Sequence, residues 1–341
     1  MTIYDIAKEL NISGSTVSRA LNNNPRISKK TRDLIQETAE RLGYKPNQVA
    51  LALRKGNSKT IGVIIPFVDR AFFGAVISGI EEVLKASGNQ IMVCQSHDMH
   101  ENEVENVNTL LGAQVSGILI SVAPGEDYTH LEKVIQADIP LVMFDRVHSK
   151  VPTSSVKVDD FKGAYMATEH LIEQGLSKIV HFHGDRNLQI YEDRYQGYKQ
   201  ALKDYKMEYD PKRVYGGDCF IEIGEKLTDE LVSSGTDFDA IFASSDYKAI
   251  GTVKRLKVLG FSVPDDIKVI GFGNEPLTEL LEPSMSSVDQ KPKEMGVQTA
   301  KSLLELMEAK SDVRPIKTTI LNPLLISRES SSKEVAYRLN Q

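Results

Sequence analysis

"TIYDIAKELNISGSTVSRALNNNPRIS", residues 2–28, decides how the start of this chain is read. Thr2 is a good helix cap, and Asp5 suits the positive end of the helix that follows. Ile3, Ile6, Ala7 and Leu10 keep helical spacing. Asn11-Ile12 leaves only a tight connection before Ser13, the next capping residue. Within "ISGSTVSRALNN" (12–23), Val17, Ala20 and Leu21 give a second helix its apolar side. The opposite face offers Ser15, Thr16, Ser18 and Arg19, all hydrogen-bonding groups and none acidic. "NNNPRIS" (22–28) breaks this helix. Ser28 caps a third, in which Thr31, Leu34, Ile35, Thr38, Ala39 and Leu42 recur at three and four. Gly43 suits the position just past its end. Two short helices joined by a turn and closed by a third form the helix-turn-helix plan. Many three-helix minidomains bind proteins. Small hydroxyls and N–H groups at a helix N-terminus, however, suit phosphate and base edges at close range.

Charge agrees with that choice. Residues 1–59 hold 11 Lys/Arg against 5 Asp/Glu, and the remaining residues hold 30 against 42, so a head of +6 sits on a body of −12 within a net of −6. A basic head on an acidic body points to a polyanion. The 341 residues are too many for one ordinary core and suffice for two domains plus a small module. A hydrophobic content of 41% and a charged content of 26% are those of a soluble globular protein. No run approaches the roughly 18 apolar residues of a membrane span. Asp5, Lys8 and Glu9 interrupt any apolar signal region, so the chain is expected to stay in the cytoplasm. Cys94 and Cys219 form no motif and read as buried small residues in a reducing compartment.

From Thr60 onward strands and helices alternate. "TIGVIIP" (60–66), "QIMVCQS" (90–96), "VSGILIS" (115–121) and "PLVMFDR" (140–146) read as buried strands, with a helix over 72–88 and others between. The rhythm resumes with a helix over 161–175, the strand "KIVHFHG" (178–184), and further helices and strands as far as "IKVIGFG". Apolar runs bounded by Gly, Asp and Pro indicate parallel strands covered on both faces. Two such sheets in succession predict two doubly wound lobes, with ligands at the C-terminal ends of the strands.

The head resembles the DNA-binding domain of the LacI/GalR family of bacterial transcription regulators. "IYDIA", "STVSRALN", "ISKKTR", "LGYKPN" and "VALALR" carry the resemblance over residues 2–54 without a gap. It implies a small all-α helix-turn-helix head on an α/β periplasmic-binding-protein-like core. The implied domains are 1–45 for the head, 46–59 for a hinge helix and linker, and 331–341 for a tail. The N-lobe would be 60–158 plus 289–319 and the C-lobe 159–288 plus 320–330, with crossings near Val158, Val288 and Ile320. The implied DNA-binding residues are Thr2, Tyr4, Ser13, Gly14, Ser15, Thr16, Ser18, Arg19, Asn22, Ser28 and Thr31. Asn47, Ala50, Leu53 and Arg54 of the hinge join them, with Leu53 wedged into the minor groove. Relatives often carry larger side chains at the positions of Gly14 and Ser15, so direct readout is expected from Ser15, Thr16 and Arg19.

In the core, "VSGILI", "VMFDR", "DRYQGYKQAL", "IKVIGFGN" and "SSVDQ" carry the same resemblance. It implies an effector cleft formed by Phe72, Phe73, Asp145, Arg146, Arg194, Asp246, Asn274 and Gln290. Planar polar groups that fork onto adjacent hydroxyls, with aromatic faces beside them, suit a sugar. Relatives usually have Asp where Gly273 stands in "GFGNEP", so a carboxylate is missing from that loop.

The chain has no GxxxxGK[ST], and "GFGNEP" fails GxGxxG. "HFH" (181–183) reads as core or cleft histidines and "SHDMHENE" (96–103) as a helix cap. No cofactor, metal or catalytic set is expected. The expected function is a homodimeric repressor of carbohydrate genes, bound to a pseudo-palindromic operator and released by a sugar or sugar derivative. A purine-like corepressor is the alternative effector. A transport-type binding protein or an enzyme on the same core is the alternative class.

Overall fold

The computed structural model describes residues 1–44, 58–125, 127–309, 314 and 316–332. The expected hinge residues Asn47, Ala50, Leu53 and Arg54 lie outside them. The chain divides into two compact units, 1–58 and 59–341.

In the first unit, α1 (Ile3–Glu9), α2 (Gly14–Leu21) and α3 (Lys29–Arg41) enclose Ile6, Ala7, Val17, Ala20, Ile35 and Ala39. The caps are local. The N–H and hydroxyl of Thr2 donate to Asp5 at 2.7 and 3.0 Å. Ser13 and Ser28 each accept the N–H three residues on, from Thr16 and Thr31, at 3.2 Å. Asn11, at φ 50°, makes the tight turn between α1 and α2, since Asn tolerates the left-handed region. Arg32 Nη2 donates to the carbonyls of Asn24 and Ile27, pinning the loop after α2 onto α3. Leu34 departs from the expected pattern, being 51% exposed, while Thr38 is buried as expected, its hydroxyl bonded to the Leu34 carbonyl at 2.8 Å.

In the second unit, β1 (Thr60–Ile65), β2 (Gln90–Gln95), β3 (Gly117–Ile120), β4 (Leu141–Phe144), β5 (Ser154–Val158) and β11 (Thr318–Leu321) form one parallel sheet in the order β11-β5-β4-β3-β1-β2. Helices α4 (Ala71–Ala86), α5 (His100–Gly112), α6 (Thr129–Gln136) and α12 (Pro292–Glu308) flank it. α4 and α12 approach closely where Gly79 meets Gly296. A Cβ on Gly296 would stand 2.0 Å from the Val76 carbonyl, so only glycine permits that crossing. The other lobe has β6 (Ile179–His183), β7 (Val214–Gly216), β8 (Ala240–Ala243) and β9 (Lys268–Ile270) in the parallel order β7-β6-β8-β9. It also carries α7 (Asp160–Glu173), α8 (Gln189–Asp204), α9 (Ile221–Ser233), α10 (Asp246–Val258) and the short α11 (Leu277–Leu280). The antiparallel pair β10 (Ser287–Asp289) and β12 (Leu324–Ile326) lies beside β9 through Gly271 and Gly273.

Two boundaries differ from the expected ones. β11 stays paired with β5 through Leu321, because apolar Leu321 is buried opposite Val158; the third crossing therefore follows Leu321 rather than Ile320. Ser331 and Ser332 are buried, and Ser331 bonds His170 and Ser286, so the C-lobe runs past residue 330. Among the described residues no helix is long and apolar enough to cross a membrane.

Candidate effector cleft and DNA-facing helix

A cavity of about 290 Å³ opens at the C-terminal ends of the strands, between the two lobes. Phe72, Phe73, Asp145, Arg194, Asp246 and Gln290 all line it. Arg146 lines a neighbouring cavity of about 710 Å³ that shares Asp145, Leu188 and Ile190. Its guanidinium pairs with Asp98. Asn274 lines neither cavity. Its side chain accepts Arg328 Nη2 at 2.9 Å and faces Asp289 at 3.4 Å, a structural role in place of the expected cleft one.

Arg194 organises the floor. It projects from α8, is 4% exposed, and lies 3.7 Å over the Phe272 ring. Nε donates to Asp160 at 2.7 Å, Nη1 to the Ser244 carbonyl at 2.7 Å and Nη2 to Gln290 Oε1 at 3.0 Å. Nη2 also reaches Asp160. These partners use four of the five guanidinium hydrogens. One Nη1 hydrogen is left for a ligand. The bond to Oε1 also fixes the Gln290 amide so that its NH₂ is the end left over. Asp145 is buried with φ 58°, and accepts the Ser121 hydroxyl at 3.2 Å. Burial raises its carboxyl, with Arg146 and Arg194 pulling the other way.

Asp246 begins α10 and holds the loop 271–275. It accepts the Ser287 hydroxyl at 2.6 Å and the Glu275 N–H at 2.7 Å. Burial pushes its carboxyl up to about 7, against those two bonds. The folded chain therefore holds this proton more tightly than the unfolded chain does. The stability it contributes is complete below the ordinary value of 3.8 and is lost as pH rises through about 7. We expect melting temperature to fall between about pH 4 and pH 7, and Asp246→Asn to flatten that slope. An unchanged slope in the variant would place the proton elsewhere.

The loop that lacks the expected aspartate has its own carboxylate. Gly273 has φ +137°, and a Cβ there would stand 3.2 Å from Asp246 Oδ2. Two residues on, burial raises the Glu275 carboxyl, and the backbone of Ala71 and Phe72 at the start of α4, Arg70 and the Tyr247 hydroxyl pull it the other way. It thus ties one lobe to the other at a helix N-terminus, where a carboxylate is favoured. Beside it Arg70 stacks 4.0 Å over the Tyr247 ring and 5.1 Å over that of Phe220. Glu275, Arg70 and Tyr247 escaped the sequence reading. "GNEP" offered the one available signal, an acid displaced by two positions. Cys219, expected in the core, is half-buried and lines the cavity, since the loop after β7 carries it to the cleft. His181 is a core histidine, bonded to the Phe242 carbonyl at 3.0 Å and held neutral by burial.

On the head, Ser15, Arg19 and Asn22 are exposed along one side of α2, with Ser18 beside them. The Ser13 hydroxyl bonds those of Ser15 and Thr16 at 2.9 and 2.8 Å, while Asn22 Nδ2 donates to the Ser18 carbonyl. Gly14 lies under the ring of Tyr4, and a Cβ on Gly14 would stand 3.2 Å from it. Thr2, Tyr4 and Ser28 are exposed and Thr31 half-buried.

This pairing of a capped three-helix head with a two-lobed cleft defines a ligand-binding transcription regulator. Residues 2–47 match the bacterial regulatory proteins of the lacI family, and residues 168–331 match the periplasmic binding protein-like domain. The ribose operon repressor of Halalkalibacterium halodurans is 32% identical over 312 residues, covering 91% of each chain. Catabolite control protein A of Priestia megaterium is 31% identical, covering 90% of this chain and 92% of its own. The chain belongs to the lacI family. Among solved structures, a transcriptional regulator CelR–cellobiose complex is 28% identical at TM-score 0.72, covering 97% and 99% of the two chains. A lac repressor dimer bound to operator has the same fold at TM-score 0.84 and 24% identity, with the same coverage.

Proposed function

We propose that this protein is a cytoplasmic homodimer that represses carbohydrate genes from a pseudo-palindromic operator and lets go when a sugar or sugar derivative enters the cleft. One observation carries the effector reading: Arg194, with one free Nη1 hydrogen, and the oriented Gln290 amide converge on a cavity that Phe72 and Phe73 also line. A guanidinium and an amide fork onto vicinal hydroxyls, and the phenyl rings cover the apolar side of a sugar. The CelR–cellobiose relative supports that ligand class. Asp145, Asp246 and Glu275 place the loops around the ligand, and Arg146 acts from the adjoining cavity.

On DNA, Ser15, Thr16 and Arg19 face base edges, with Gly14 and Ser18 beside them. Thr2, Tyr4, Ser13, Asn22, Ser28 and Thr31 hold phosphates and helix starts. Asn47, Ala50, Leu53 and Arg54 act as the hinge, on the strength of the sequence resemblance. The N-lobe comprises 60–158 plus 289–321 and the C-lobe 159–288 plus 322–332. The effector acts through its different affinity for open and closed lobes. Closure is read at the Glu275 and Arg70 clasp.

The test is a gel shift of the full chain on DNA flanking its own gene, across salt and with a panel of sugars. Binding should fall steeply with salt, as counterion release demands. At least one sugar should release it. No shift at low salt refutes the regulator reading, and a shift that no sugar alters refutes the effector reading.

A further inference from the structure

Outside the cleft's own polar groups, three ligand-bearing side chains meet inside the N-lobe. His100 opens α5 and Glu103 follows three residues on, so both project from one face of that helix. His130 stands second in α6. One nitrogen from each histidine and one Glu103 oxygen lie within 4.8 Å of one another. Glu103 is fully buried and His130 is 1% exposed. Glu103 contacts His130 Nε2 at 2.7 Å through Oε1 and accepts the Ala123 N–H at 2.5 Å through Oε2. The two imidazoles meet edge to face, centroids 5.1 Å apart.

Among the described residues, the buried Nδ1 atoms of both histidines lack any hydrogen-bond partner. Buried polar atoms are ordinarily satisfied, and two orphans in adjoining rings need a cause. Gly125 keeps one of them uncovered, since a Cβ there would stand 3.1 Å from His100 Nδ1. A helix cap, the reading that the sequence of 96–103 suggests, accounts for neither nitrogen.

We propose that His100, Glu103 and His130 hold a divalent transition-metal ion of the zinc class. Two imidazoles and a carboxylate are an N/O donor set that zinc accepts, leaving a fourth position for water. The exposed Asp127 carboxylate lies close enough for its charge to act on both rings. With metal–ligand bonds of about 2.0–2.2 Å, ligand atoms in a tetrahedron stand about 3.4 Å apart. The 2.7 Å contact between Glu103 Oε1 and His130 Nε2 therefore opens as both atoms turn to the ion, and the His100 ring draws in; each ring gives one nitrogen, so His130 Nδ1 stays uncoordinated. The ion takes a nitrogen lone pair from each ring, and any proton held there is released to solvent, so acid opposes binding. Ala123 and Pro124, on the loop between β3 and α6, line the two cleft cavities. An ion at this site braces the cleft wall, which links ion and effector binding reciprocally.

The test uses tag-free full-length protein, stripped with a chelator and dialysed against Zn²⁺, then against Co²⁺ for its visible absorption bands. The wild type should retain one ion per chain and show the bands of a low-coordinate Co²⁺ site. His100→Ala should lower affinity at least about tenfold. Its metal-free melting temperature should fall only slightly, because among the described residues His100 makes no hydrogen bond and loses only its edge-to-face contact with His130. His130→Ala is the poorer probe, since it strands a buried carboxylate. Failure of the wild type to retain an ion, or equal retention by His100→Ala, overturns the site.

Discussion

Arg194→Ala should remove the response to effector while the chain still binds operator. The direct bond from Nη1 to a ligand hydroxyl is charge-assisted, worth about 1.5–3 kcal/mol, or about 10- to 150-fold in Kd. The loss should exceed that figure, because Gln290 is oriented by the same guanidinium at 3.0 Å. The variant also strands Asp160, which is 3% exposed and bonded by Arg194 at 2.7 Å. Breaking a buried pair from one side destabilises by about 3–5 kcal/mol. Arg194→Ala should therefore melt earlier, and low stability alone could mimic a lost response. Asp160→Asn combined with Arg194→Met removes both charges and restores much of the stability. Calorimetric titration with the releasing sugar separates the two effects. A stable double variant that still binds the sugar at wild-type affinity would refute the role of Arg194.

The head was legible because its signals are local. Thr2, Ser13 and Ser28 cap helices within three residues of themselves, and the core side chains recur at helical spacing. Leu34 alone failed the same pattern, while Thr38, one turn on, is buried because its hydroxyl is satisfied against the backbone. The alternation of strand and helix likewise gave the rhythm of the core as far as "IKVIGFG", but β5, β10, β11 and β12, short strands outside that rhythm, were not read from the sequence. In the cleft, Asp145, Arg194, Asp246 and Gln290 were named through the family resemblance. Asn274 and Glu275 were not resolved, because Gly273 and Asn274 both have positive φ, at 137° and 52°. That left-handed backbone chooses which neighbour turns to the cavity, and no periodicity records it. Arg70 looks like any charged residue ahead of a helix until Tyr247 and Phe220 arrive from the other lobe. His130 is brought to Glu103 only by the β3 crossover, so "HENE" alone could not announce the cluster.

Arg19→Ala should weaken operator binding by about 1–3 kcal/mol, the worth of an arginine bidentate to guanine. Affinity for random DNA at low salt should fall far less, because one cation among the 11 of residues 1–59 is lost. Arg19→Lys keeps the charge but not the fork and should recover little specificity. Arg19 is exposed one turn beyond Ser15, so in the proposed docking the two would read neighbouring positions along the groove. Gly14 sits beside them and offers no side chain. Its Cβ position lies 3.2 Å from the Tyr4 ring, but Tyr4 is 73% exposed and can swing aside. Gly14→Gln should therefore fold normally and place an amide where a base edge is within reach. Selection from randomised half-sites should return a changed preference at one or two positions. An unchanged preference, with Arg19→Ala losing specific and non-specific binding equally, would mean that α2 touches only phosphates. Specificity would then have to come from the hinge under Leu53.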